Sequence, residues 1–116
     1  MATYANISID QGSNFTSTIE LEDAAGDFYD LSSYDARGQI RKTYTSTNAV
    51  DLDVSISNAS RGEITMGLDS VDTASLKAGR YVYDVEIYDD SGYVLRVLEG
   101  QAIVNPRVTQ AADSAG

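Results

Sequence analysis

Cysteine, histidine and tryptophan are all absent from this 116-residue chain. Without cysteine there is no disulfide and no thiolate metal site. Without histidine the usual general base and the commonest transition-metal ligand are missing. Basic residues are few: eight Lys and Arg stand against eighteen Asp and Glu, for a formal charge of −10. That balance disfavours binding to nucleic acid or an anionic membrane, and no basic patch with interleaved aromatics opposes it. The acidity reads as solubility through net charge. No apolar run approaches the ~18 residues of a membrane span, and "MATYANISIDQG" lacks the basic and apolar regions of a signal peptide. The glycosylation sequons at Asn14 and Asn58 carry little weight without a secretion signal.

What is present is alternation. Ile7 and Ile9 share one face; Phe15, Ser17, Ile19 and Leu21 share another against Thr16, Thr18, Glu20 and Glu22. Tyr34, Ala36, Gly38 and Ile40 oppose Asp35, Arg37, Gln39 and Arg41, and Val50, Leu52, Val54 and Ile56 oppose Asp51, Asp53, Ser55 and Ser57. Ile64, Met66 and Leu68 continue the pattern, as do the arms around residues 79–88 and 93–105. About seven short strands with turn signals between them predict an all-β sandwich or barrel. The segment "DSVDTASLKAG" predicts one short helical turn, capped by Asp69 or Ser70, with Leu76 inward and Gly79 as its stop. The only proline, Pro106, follows the last strand. Residues 1–106 are therefore expected to form one domain, and 107–116 a flexible arm.

Candidate chemistry is thin. Asp84 and Glu86 share a strand face with Glu99 nearby, a carboxylate spacing that suits a glycosidase, but one common on solvated strands. Asp51 with Asp53, Asp89 with Asp90, and the group Asp23, Asp27 and Asp30 could offer oxygens to calcium; turn-forming aspartates explain them better. Ser75 near Lys77 is the one possible activated hydroxyl, and no glycine-rich stretch leads into a helix as a phosphate cradle requires. No catalytic residue, metal ligand, cofactor or small-molecule substrate is expected.

The stretches "DLSSYDARGQIRKTY", "RGEITMGLDS" and "AGRYVYDVEIYDDSGYVLRVLEGQAIVNP" resemble small immunoglobulin-like domains of tailed-bacteriophage virion proteins, among them the N-terminal domain of the baseplate upper protein. The resemblance covers about residues 10–108. It implies a two-sheet antiparallel β-sandwich that docks other virion proteins or copies of itself, with no catalytic residues. It also implies a place in the virion after synthesis in the host cytoplasm. Possible positions are tail, baseplate, neck or fibre-attachment adaptor, or the capsid surface as a decoration protein. Since the chain is only the domain, a small subunit fits better than a receptor organiser.

The hairpin "GRYVYDVEIYDDSGYVLRVLEG" has one arm apolar on both faces, carrying Val94, Leu95, Val97 and Leu98. A three-residue loop closed by Gly92 pairs Asp89 with Tyr93 and sets Glu86 opposite Arg96. Val82, Tyr88, Val94 and Leu98 then lie outward. A two-residue turn at Ser91-Gly92 is the second choice, because it sets Asp84 against Glu99. The candidate interface is Val82, Tyr88, Val94, Arg96 and Leu98, an apolar patch rimmed by charge, unless residues 43–49 or the tail fold over it. The rival reading is a carbohydrate-binding module using Tyr29, Tyr44 or Tyr88.

Overall fold

The computed structural model describes residues 3–109. Eight strands follow in order: β1 (Thr3–Tyr4), β2 (Ile7–Asp10), β3 (Phe15–Glu20), β4 (Asp35–Arg41), β5 (Val50–Asn58), β6 (Glu63–Leu68), β7 (Gly79–Tyr88) and β8 (Val94–Asn105). The one α-helix among the described residues, α1, is Ser70–Ser75 between β6 and β7.

Strand pairing is continuous, in the order β1-β8-β7-β4-β5-β6-β3, with β2 also on β8. The sheet folds into two layers at β5. Residues Val50–Leu52 pair with β4, whereas Asp53–Asn58 leave that layer and pair with β6. One layer is thus β8-β7-β4 with β1 and β2 on its edge, and the other is β5-β6-β3. In immunoglobulin lettering these are the G-F-C and D-E-B strands, so the protein is an immunoglobulin-like β-sandwich. Its N-terminal edge departs from the expected antiparallel pattern, since β1 and β2 both run parallel to β8.

The alternating residues of both layers meet in one core. Ile64, Met66 and Leu68 from one side pack with Ile40, Val85, Ile87 and Val104 from the other. Helix α1 closes one end as expected: the Asp69 carboxylate accepts from Asp72 N–H at 2.9 Å, and Leu76 is buried. The helix stops at an extended Leu76, while Gly79 opens β7 instead of ending the helix. Thr73, not singled out in the sequence, fixes the helix to the β2–β3 turn. Its hydroxyl donates to Ser13 O at 2.8 Å and accepts from Gly12 N–H at 3.0 Å.

Of the proposed arm, Arg107 N–H reaches Gln11 Oε1 at 3.3 Å. Residues 110–116 lie outside the described residues.

Candidate functional site

The β7–β8 hairpin positions the candidate interface, and its turn forms as its residues dictate. Asp89 N–H donates to Tyr93 O at 3.1 Å, and Gly92 takes φ 94°. The Asp89 carboxylate accepts from Ser91 N–H, Ser91 Oγ and Tyr93 N–H, at 3.0, 2.7 and 3.1 Å. Those bonds hold its pKa below the ordinary carboxyl range, the Ser91 hydroxyl contributing most.

Up to Glu86↔Arg96 the strands keep the register of the three-residue loop. The next pair is Val85↔Leu98, so Val97 is an extra residue, a β-bulge. Beyond it the register is that of the alternative turn, with Asp84 opposite Glu99. Each expected register therefore holds along part of the hairpin. The bulge also explains the two apolar faces: Val97 and Leu98 are consecutive and both buried.

The candidate interface is corrected accordingly. Leu98 is a core residue, 1% exposed, because the bulge turns it inward. Tyr88 is half-buried, with the Arg37 guanidinium 4.5 Å from its ring centre. Val82 is half-buried between Arg41 on β4 and Gln101 on β8. Val94, 46% exposed, and Arg96 do face solvent. The outer face is consequently not an apolar patch rimmed by charge.

It is a charge lattice. Alternation on β4 and β7 sets Arg37 beside Glu86 and Gln39 beside Asp84. Arg37 Nε donates to Glu86 Oε1 at 3.0 Å, so Glu86 pairs across to β4 and not with its β8 neighbour Arg96. Arg96 instead bridges the like-charged pair beyond the bulge, lying 3.3 Å from Asp84 and 3.5 Å from Glu99. Gln39 Nε2 donates to Asp51 Oδ1 at 2.8 Å and accepts from Arg41 at 3.0 Å. Arg41 also donates to Ser46 O at 2.6 Å, tying the residue 42–49 loop beside this face with Tyr44 77% exposed.

Partial burial pushes the Asp84 pKa up. Arg96 opposes that shift, while Glu86 and Glu99 reinforce it. Exposed pairs of this kind each contribute about 0–1 kcal/mol to stability; their main effect is to hold the charges in place. Arg37, Gln39, Asp51, Asp84 and Arg96 line an open concavity where β5 curls away from the layer.

The remaining candidates are engaged elsewhere. Asp84 and Glu99 share Arg96, which ties down the carboxylates that might have served a glycosidase. Asp23 caps Ala25 and Asp27 N–H at 2.9 and 3.1 Å, and Asp30 caps Ser32 N–H at 3.0 Å. Among the described residues no group of three or more carboxylates is placed to hold a metal ion. Ser75 Oγ donates to Asp72 O at 2.7 Å. Tyr29, Tyr34 and Tyr93 form a cluster, but neighbouring rings are tilted by 59° and 54°.

By sequence, the chain matches no protein-family model and no curated protein. Its backbone is similar to solved structures. An internalin-like protein of Listeria monocytogenes is 21% identical with a TM-score of 0.48, over 90% of this chain and 28% of that one. CopC from Methylosinus trichosporium OB3b is 14% identical with a TM-score of 0.47, over 92% and 90% of the two chains. The Lin-41 filamin domain is 14% identical with a TM-score of 0.41, over 78% and 81%. These likenesses assign no family and no activity.

Proposed function

We propose that this protein is a non-enzymatic structural subunit of a tailed-phage particle that works by docking neighbouring proteins. The placement in a virion rests on the sequence resemblance over about residues 10–108. The docking role is supported by one structural observation above others, the Arg96 bridge to Asp84 and Glu99 beside the Arg37–Glu86 pair. Charges fixed on a sheet give a partner a pattern to match, which governs specificity and encounter rate more than raw affinity. Such docking weakens as salt screens the exposed groups. Tail, baseplate, neck, fibre-attachment and capsid-decoration positions are all compatible with such docking. For a sugar-binding role, Arg37 covers Tyr88 and the Tyr29 cluster is tilted, which leaves the exposed Tyr44 as the candidate ring.

The test is mass spectrometry of purified particles, with cross-linking from Lys42 and Lys77 to neighbours. The chain at fixed stoichiometry supports the proposal, and its absence from particles overturns it. An Arg96→Glu variant that melts normally but fails to incorporate would locate the contact on this face. Binding on a glycan array would favour the sugar reading.

A further inference from the structure

Strand β3 is the outermost strand of its layer. It pairs with β6 from Phe15↔Leu68 to Glu20↔Glu63 without a bulge, and no described residue pairs with its other side. Which backbone groups face that open side follows from one bond. Leu21 N–H donates to Gly62 O at 2.9 Å, continuing the same register. Antiparallel alternation then aims the N–H and C=O groups of Phe15, Ser17 and Ile19 at β6, and those of Thr16, Thr18 and Glu20 at open space.

Natural sheets blunt such edges with lysine, proline, bulges or a covering segment. The opposite end of the pairing order is covered in this way, since β8 carries β1 and β2. "FTSTIE" has none of these devices. Its only charge, Glu20, is neutralised by Arg61 at 3.0 Å. The strand itself thus carries no net charge in a chain of net charge −10, with Glu63 of β6 opposite Glu20 the nearest unbalanced acid. Its inward residues Phe15 and Ile19 are only half-buried, although they belong to the core face.

We propose that β3 is a self-association edge, where two copies of this chain pair antiparallel about a twofold axis and merge their three-stranded layers. The sequence selects the register. Inward residues must meet inward residues, because a one-residue slip sends every side chain to the wrong face. With Ser17 on the axis, Phe15 lies opposite Ile19 of the other copy, twice, giving two aromatic–β-branched pairs. Thr16 and Thr18 of the two copies exchange the outward backbone hydrogen bonds. Glu20 falls opposite Asn14, which avoids a glutamate–glutamate clash. A strongly charged partner would find no counter-charge here, whereas a second copy is complementary by symmetry. This contact is on a different layer from the charge lattice and does not depend on the docking role proposed above.

The pairing surface is small, so association is weak. It should tighten with added salt, because screening reduces repulsion between two acidic chains. Sedimentation velocity between about 10 μM and about 1 mM protein, in about 0.05 and about 0.5 M salt, should show monomer converting to dimer, more completely at high salt. Thr18→Pro removes an outward N–H without breaking a backbone bond to β6, losing there only the exposed Thr18–Thr65 hydroxyl contact at 3.1 Å, and should weaken the dimer at least about tenfold. Amide hydrogen exchange on the unmodified protein provides a readout independent of that variant. Protection of Thr16 and Thr18 should rise with concentration, while that of Ser17 should not. A chain monomeric throughout this range, a Thr18→Pro variant that dimerises normally, or exchange at Thr16 and Thr18 indifferent to concentration would each overturn the proposal.

Discussion

The carbonyl oxygen of Ala5 occupies the space that a β-carbon on Gly100 would need. The N-terminal segment crosses β8 here between β1 and β2, held by Ala5 N–H to Glu99 O at 2.8 Å. Gln101 N–H also donates to Asn6 Oδ1, at 3.0 Å. Gly100→Ala sets a methyl group against backbone, which cannot rotate away. The expected cost is about 1–3 kcal/mol or more, read by urea denaturation. Stability within about 0.5 kcal/mol of the parent would show that this crossing is loose.

Tyr83 holds the same carbonyl from below, its hydroxyl donating to Ala5 O at 2.6 Å. Tyr83→Phe leaves that oxygen without this donor and should cost about 1–3 kcal/mol. Burial, with a smaller push from Tyr4, raises the phenol pKa from 10.0 to about 12. The folded state therefore retains a proton that the unfolded state releases. The stabilisation is complete below pH 10 and is lost as pH rises toward about 12. Stability curves of parent and Tyr83→Phe should therefore stand apart below pH 10 and converge as pH rises toward about 12.

Leu98 and Val94 separate core from surface on one strand. Leu98→Ala should cost about 2–5 kcal/mol, as buried leucine truncations do. Val94→Ser should change stability by about 0.5 kcal/mol or less. Equal melting of the two variants would contradict the bulge at Val97.

Asp84 gives a pH signature in acid. Its pKa is raised above 3.8, chiefly by burial, so the folded state binds the proton more tightly than the unfolded state. This group's contribution to stability declines as pH rises from 3.8 through the raised value, then levels off. Asp84→Asn should remove that decline in melting temperature. Parent and variant with identical pH profiles would show that Arg96 compensates for burial completely.

Much of the hairpin was legible in the sequence because turns and alternation depend on neighbours a few residues apart. Asp89, Ser91 and Gly92 specify the three-residue loop, and alternation placed Tyr83, Val85 and Ile87 on the buried face. The charge lattice was only half legible. Arg37, Gln39 and Arg41 stood out as the polar face of β4, but nothing local pairs Arg37 with Glu86 across 49 residues.

By itself, then, the sequence determined most of the strands and their inward faces, the Asp89–Gly92 turn and a helix cap at Asp69 or Ser70, each a matter of periodicity or of bonds within one turn. Only the tertiary structure decided where Leu98 points. The loop demands one register at its end of the hairpin. Farther along, Gly100 must lie under Ala5, and Ala102 and Val104 must reach the core, which demands the other. One extra residue, Val97, reconciles the two and turns Leu98 inward, a compromise set by contacts with β2 and the opposite layer that no local pattern records.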